Sequence, residues 1–289
     1  MNKMGAASTT TGRPKNLTGY DNLPKKVSSQ IDATVSIWKK YMGARLEGIY
    51  LHGSIALGAF NPNSGDIDIL IVVNEAPTVQ EKLDIASEII EIDKRPCPLE
   101  MSAITLHDAQ TWKNPGNCVF HYSDYWTERY KQRLADGKSQ VYVADNEFPD
   151  ADVTSYIGLI NQSGIVLYGR QIEGTFADIP AEDFLEAITA GIDDYDFNAY
   201  DARYFASNIL ILGRILSFKA EKRILSKYDA GLWMIENVPE NLRYIPEAAM
   251  KFWFADSAES KTKALPDFPL EDLQSLREYL INKIKQRTK

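Results

Sequence analysis

Two aspartates two positions apart, Asp66 and Asp68, open an apolar run, Asp66–Val73 (DIDILIVV). Side chains on a strand alternate between faces, so residues two apart share one. Both carboxylates then point the same way, with Ile67 and Ile69 turned into the protein. Two like charges on one face repel each other, and burying them adds a desolvation cost. A divalent cation resolves that conflict. Mg2+ suits the site because it prefers hard oxygen ligands and usually keeps a substrate's phosphates in its shell. Upstream, Gly53 and Ser54 follow a short strand-like segment, Glu47–Leu51 (EGIYL). A Gly-Ser turn leading into a helix lets backbone N–H groups close on a phosphate, and the hydroxyl adds one hydrogen bond. Alone, neither signal decides anything. Together, between apolar strands, they describe a cradle for a metal-bound triphosphate.

In-line nucleotidyl transfer calls for a third acid, because the acceptor hydroxyl must lose its proton near the metal. Glu100 lies between Leu99 and Met101 in the strand-like segment Pro98–Thr105 (PLEMSAIT). An acid in the strand that follows the Asp-x-Asp strand can reach the same face. The competing reading is an edge-strand glutamate facing solvent. His52, His107 and His121, the three histidines, lie far apart without ligand spacing, and structural roles are expected for them.

The elements that must position these residues fall into two groups. Residues 1–22 are rich in Gly, Ser, Thr, Asn and Lys, have no periodicity, and read as a mobile tail. From 23 to 178, helical segments at Leu23–Tyr41 and Val79–Asp93 alternate with the three strand-like ones, and Asp150–Tyr168 reads as a helix and a strand. Leu106–Ser139 is aromatic-rich and less periodic. From 179 to 289 strand signals disappear. Ala181–Ala190, Tyr200–Lys219, Ser226–Glu236, Pro246–Phe254 and Leu270–Lys285 read as amphipathic helices. The expected architecture is an α/β domain, a mixed sheet with flanking helices, followed by an all-α helical bundle.

Composition narrows the function. The 289 residues carry 32 Lys+Arg against 40 Asp+Glu, a net charge of −8 that argues against a general nucleic-acid binder. No apolar run reaches the roughly 18–20 residues of a membrane span. The N-terminus lacks the apolar core of a signal peptide, so a cytoplasmic protein is expected. Cys97 and Cys118 show no metal-ligand spacing and read as reduced thiols.

With these residues in view, HGSIALGAFNPNSGDIDILIVV (His52–Val73) resembles the nucleotidyltransferase superfamily, and within it the streptomycin/spectinomycin group of aminoglycoside adenylyltransferases. The resemblance extends from about residue 24 to 285. It implies a nucleotidyltransferase domain followed by a helical domain that binds ATP and substrate. PLEMSAI is similar to the strand with that group's catalytic glutamate, which makes Glu100 the general base. FHYSDYW (Phe120–Trp126) resembles an aromatic segment near the antibiotic, with Trp126 matching a ring-stacking tryptophan. In ILSKYDAGLWMIENVP, Lys227 matches a lysine that contacts ATP. The usual serine before the first aspartate is here Gly65, a loop position. The group also binds its cationic drug with acids of the helical domain, but the matching helix reads YFASNILILGR and has none. Acids lie just before it at Asp193, Asp194, Asp196 and Asp201, of which Asp196 and Asp201 are taken as substrate-binding candidates.

The implied activity is Mg2+-dependent transfer of AMP from ATP to a hydroxyl of a small cationic antibiotic, by a monomer that needs no nucleic acid and no membrane. Asp66, Asp68 and Glu100 would hold the metal, and Gly53, Ser54 and Lys227 the nucleotide. Two other readings stand beside it. One is a nucleotidyltransferase with a protein, RNA or metabolite acceptor. The other is a non-catalytic nucleotide-binding protein, against which the intact acid set argues.

Overall fold

A computed structural model describes residues 14, 16–111, 113–195, 197, 202–255, 260 and 267–286. Val27, Ile31 and Trp38 recur at helical spacing and form the buried face of α1 (Lys25–Met42). There follow β1 (Leu46–Leu51), the one-turn α2 (Gly53–Ala56), β2 (Ile67–Val73), α3 (Val79–Ile92) and β3 (Leu99–Thr105). Next come α4 (Leu106–Gln110), β4 (Gly116–Cys118), β5 (Phe120–Tyr122), α5 (Asp124–Asp136), α6 (Tyr142–Asp145), β6 (Phe148–Asp150), α7 (Ala151–Ser163) and β7 (Ile165–Gly169). Among the described residues the rest is helical: α8 (Ala181–Thr189), α9 (Ala202–Glu221), α10 (Lys227–Asn237), α11 (Tyr244–Trp253) and α12 (Leu270–Lys285).

Five strands form a mixed sheet in the order β5-β3-β2-β1-β7. β2 and β3 run parallel, while the other neighbours are antiparallel. The parallel pair is joined through α3, the crossover that such a connection requires. A capping box starts α3: Thr78 Oγ1 accepts from the Glu81 N–H, and the Glu81 side chain accepts from Thr78 N. β2 lies centrally and is buried on both faces from Ile69 to Val73. Trp38 is fully buried against the sheet, edge-on to Phe120 with centroids 5.2 Å apart. The register that matters most is Asp68 opposite Glu100.

The helical half has its own core around Ile209, Leu212, Ile245, Leu276 and Leu280. Two smaller apolar seams join the halves. In one, Ala59 meets Leu210, Tyr228, Met250 and Phe254. In the other, Leu159 meets Phe184, Phe218 and Ile224. Beside the second seam, the Gln162 amide donates to the Ile224 carbonyl at 2.9 Å and accepts from its N–H at 2.9 Å. Between the seams lies a cleft.

One local expectation changes. Residues 16–22, assigned from sequence to a mobile tail, are anchored where Thr18 and Phe60 exchange backbone hydrogen bonds of 2.9 and 3.0 Å. Leu17 packs beside the first seam, an apolar contact that a composition argument does not register. The segment 106–139 also holds α4, β4, β5 and α5. α5 buries only Thr127 and Tyr130, too few positions to print a helical period. No helix among the described residues is long and apolar enough to cross a membrane.

Cys97 and Cys118 are free and buried, 1% and 0% exposed. Burial pushes their thiols up to about 11 and about 12, with Asp66 adding to the first and Asp150 to the second. Since the thiolate is the reactive form, both should resist Ellman's reagent at about pH 8 in the native protein and react fully after denaturation. Rapid reaction of either thiol without denaturant would contradict this packing.

Candidate active site

β1 ends at Leu51, and the ladder continues one residue further as His52 N donates to the Asp68 carbonyl at 3.0 Å. The chain then turns sharply. Gly53 has φ +65°, and a Cβ there would lie 1.8 Å from Asp68 Oδ2. Glycine is required on both counts, by backbone conformation and by the closeness of the carboxylate. The turn thus sets Gly53 and Ser54 directly against the Asp-x-Asp strand.

Asp66 stands just before β2, and Asp68 is its second residue. With Glu100 alongside on β3, the three carboxylates each offer an oxygen within 4.8 Å of the other two. All three are partly buried. The Asp68 carboxyl is held well above the usual range, first by burial and then by the negative charges of Asp66 and Glu100. Lys227 and Arg214 pull it the other way, but by less. Glu100 is pushed up to about 7 by burial and Asp66, against a hydrogen bond from Tyr156 that favours its ionised form. Three oxygen donors crowded into one partly buried, negatively charged spot fit a hard divalent cation. Ser54 Oγ is buried beside them without a hydrogen-bond partner among the described residues, a donor suited to a phosphate oxygen.

The opposite wall comes from the helical half. Ser226 caps α10, its hydroxyl oxygen accepting from Asp229 N at 3.1 Å, and this makes Lys227 the first helical residue. Lys227 Nζ donates to Ser207 Oγ at 3.2 Å and lies 4.1 Å from the centre of the Trp253 ring. Burial lowers its ammonium to about 8, while Asp66 and Asp68 support the charged form. Arg214, on α9, donates from Nε to the Leu225 carbonyl at 3.1 Å and interacts electrostatically with Asp68. Gly53, Ser54, Asp66, Asp68, Lys227 and Arg214 all line one cavity of about 340 Å3. Acids on one wall facing cations on the other suit a polyphosphate chelated to a metal.

The structure therefore brings together Gly53, Ser54, Asp66, Asp68 and Lys227 in the cavity, with Glu100 in the acid cluster. It does not bring Trp126 to the cavity. That ring packs against the sheet's core from the first turn of α5, edge-on to Tyr125 at 5.3 Å and 4.8 Å from the Arg129 guanidinium. Asp196 and Asp201 lie outside the described residues. Of their acidic neighbours, Asp193 is paired with Lys285 at 2.5 Å. Arg214 and Tyr156 are additions that the sequence reading did not make. Arg214 had a signal, a lone cation inside the apolar run NILILGRILSF; Tyr156 had none.

Comparison with known proteins places the chain beside a group of nucleotidyltransferases. Residues 31–122 match the nucleotidyltransferase domain family, and residues 175–282 match the C-terminal domain of aminoglycoside adenylyltransferase. The chain is 25% identical over 264 residues to a spectinomycin 9-adenylyltransferase of Enterococcus faecalis, covering 89% of this chain and 96% of that one. It is 20% identical over 251 residues to an aminoglycoside (3'')(9) adenylyltransferase of Klebsiella pneumoniae, covering 84% and 92%. The crystal structure of an Enterococcus spectinomycin adenylyltransferase with ATP and spectinomycin superposes with a TM-score of 0.74 at 23% identity, over 90% of this chain and 99% of that one.

The crowding of acids has a measurable sign. Glu100, raised from 4.5 to about 7, binds its proton more tightly when folded than when unfolded. Its contribution to stability is full below about pH 4.5 and is lost as pH rises through about 7. The metal-free protein should melt at a lower temperature at neutral pH than at about pH 5, relative to Glu100→Gln. Mg2+ should restore the neutral-pH value in the wild type and not in Asp68→Asn. Equal responses of wild type and Asp68→Asn to Mg2+, read by differential scanning fluorimetry, would refute the assignment.

Proposed function

We propose that this chain, whose residues 31–122 and 175–282 match the nucleotidyltransferase domain and the C-terminal domain of aminoglycoside adenylyltransferase, transfers AMP from ATP to a hydroxyl of streptomycin or spectinomycin, with Mg2+ as cofactor and pyrophosphate as leaving group. The observation that carries this reading is the Asp66–Asp68–Glu100 cluster facing Lys227 and Arg214.

In this reading Asp66, Asp68 and Glu100 would hold the cation. When bound, the cation neutralises charge on the triphosphate and on the departing pyrophosphate. The Gly53 turn lets the triphosphate approach the strand ends, and the Ser54 hydroxyl donates to one of its oxygens. Lys227 and Arg214 neutralise the phosphates from the helical side, and the seams on either side fix their distance from the acids. Glu100 accepts the proton of the acceptor hydroxyl, whose oxygen attacks the α-phosphorus as the bond to pyrophosphate breaks. Catalysis is then positioning plus charge neutralisation. Trp126 lies away from the cavity, which favours a second reading in which the same chemistry serves another acceptor.

Pyrophosphate release with ATP and Mg2+ should depend on streptomycin or spectinomycin and should fall below detection in Asp68→Asn. Gly53→Ala should lose about 100-fold in turnover, because its methyl displaces Asp68. Lys227→Ala should lower kcat/KM for ATP about 100-fold or more. Tight binding of ATP with Mg2+, but no release with either drug, would transfer the reading to the other-acceptor alternative.

A further inference from the structure

Tyr156 belongs to no part of the metal–phosphate cradle, yet its hydroxyl donates to Glu100 Oε1 at 3.0 Å. Its placement is specific. Asp150 caps α7 by accepting from Asp152 N at 2.9 Å, and Tyr156 follows one turn later on the face lining the cavity. The Tyr156 ring stacks on His52, with centroids 4.6 Å apart and planes 29° from parallel. His52 is 3% exposed, and its Nδ1 has no hydrogen-bond partner among the described residues. The imidazole is held there as a flat surface for the phenol. Burial and the neighbouring Arg214 keep it neutral, at about 3. The His52 backbone is tied to the Asp68 carbonyl, so the stack is referenced to the acid strand itself.

A glutamate in an acid cluster beside a cavity has several rotamers, and a base and metal ligand is useful in few of them. A carboxylate has two oxygens. With Oε1 taken by a phenol whose ring is clamped, Oε2 is left for the cation and the acceptor hydroxyl. We propose that Tyr156 is the positioning residue of this site: it locks Glu100 in one rotamer through Oε1, and His52 locks Tyr156. The inference rests on the reading of Glu100 as base and metal ligand. It adds that this geometry comes from α7 and not from β3 alone.

The test is Tyr156→Phe, which keeps the ring and its stack and removes only the hydroxyl. The comparison is Tyr50→Phe, which removes a buried phenol whose hydroxyl donates to the Arg170 carbonyl at 3.0 Å, away from the site. Each full-length variant is titrated with Mn2+ alone, following the EPR signal of the free ion, and then assayed for turnover. Tyr156→Phe should weaken Mn2+ about 10-fold and lower kcat about 10- to 100-fold, with KM for ATP within about twofold. Tyr50→Phe should leave the Mn2+ affinity and kcat unchanged, and the two melting temperatures should be close to each other. Unchanged Mn2+ affinity in Tyr156→Phe, or no Mn2+ binding by the wild type, overturns the proposal whatever kcat does. If the wild type binds Mn2+ but turns over neither drug, the acceptor assignment fails, and the Mn2+ titration still decides the role of Tyr156.

Discussion

Three carboxylates that repel one another dominate this structure. Asp66, Asp68 and Glu100 bring oxygens within 4.8 Å in a partly buried place, an arrangement that costs free energy unless a positive charge joins them. The surrounding architecture makes the conflict unavoidable. Asp68 and Glu100 are register partners on parallel strands, so their side chains leave the sheet together. Gly53 lies so close to Asp68 that no side chain can separate the turn from the acid. The helical half then supplies Lys227 and Arg214 from the far wall, which favour the ionised form of Asp68 but by less than burial and the neighbouring acids oppose it. Three acids that can all ionise only with further positive charge beside them suit a divalent ion. In the proposed reading, those two cations would then serve the phosphates of ATP.

Positioning follows from ordinary local rules. A capping box starts the crossover helix between the two acid strands, a serine cap sets Lys227 at the head of α10, and an aspartate cap sets the phase of α7. Two apolar seams join the halves on either side of the cleft, so the distance between acids and cations is governed by packing of Ala59 against Tyr228 and Phe254, and of Leu159 against Phe184 and Phe218. The opposed groups come from elements far apart in the chain, and the fold is the device that brings them together.

Much of this was legible in the sequence because it depends on short periods. The alternation in Asp66–Val73 placed two acids on one face, and the apolar neighbours of Glu100 placed it in the adjoining strand. The change from strand to helical periodicity near residue 178 marked the two kinds of architecture, and α12 was read at its observed limits. What escaped was whatever depends on contacts between distant segments. Tyr156 reaches Glu100 across 56 positions, and no local pattern announces that. Arg214 reads as an oddity in an apolar helix until the cavity shows what it faces. α5 hid because it buries so few residues, and the position of Trp126 could not be judged until that helix was seen. The resemblance to adenylyltransferases supplied Lys227, whose type alone would have described an exposed helix-start lysine.

The central claim is that the three carboxylates form a cation site. Anomalous diffraction from crystals grown with Mn2+ and a non-hydrolysable ATP analogue tests it most directly. The account predicts a Mn2+ peak bonded to oxygens of both Asp66 and Asp68, adjacent to Glu100, and lost in Asp68→Asn. A peak elsewhere in the cleft, or none beside an ordered nucleotide, would contradict it.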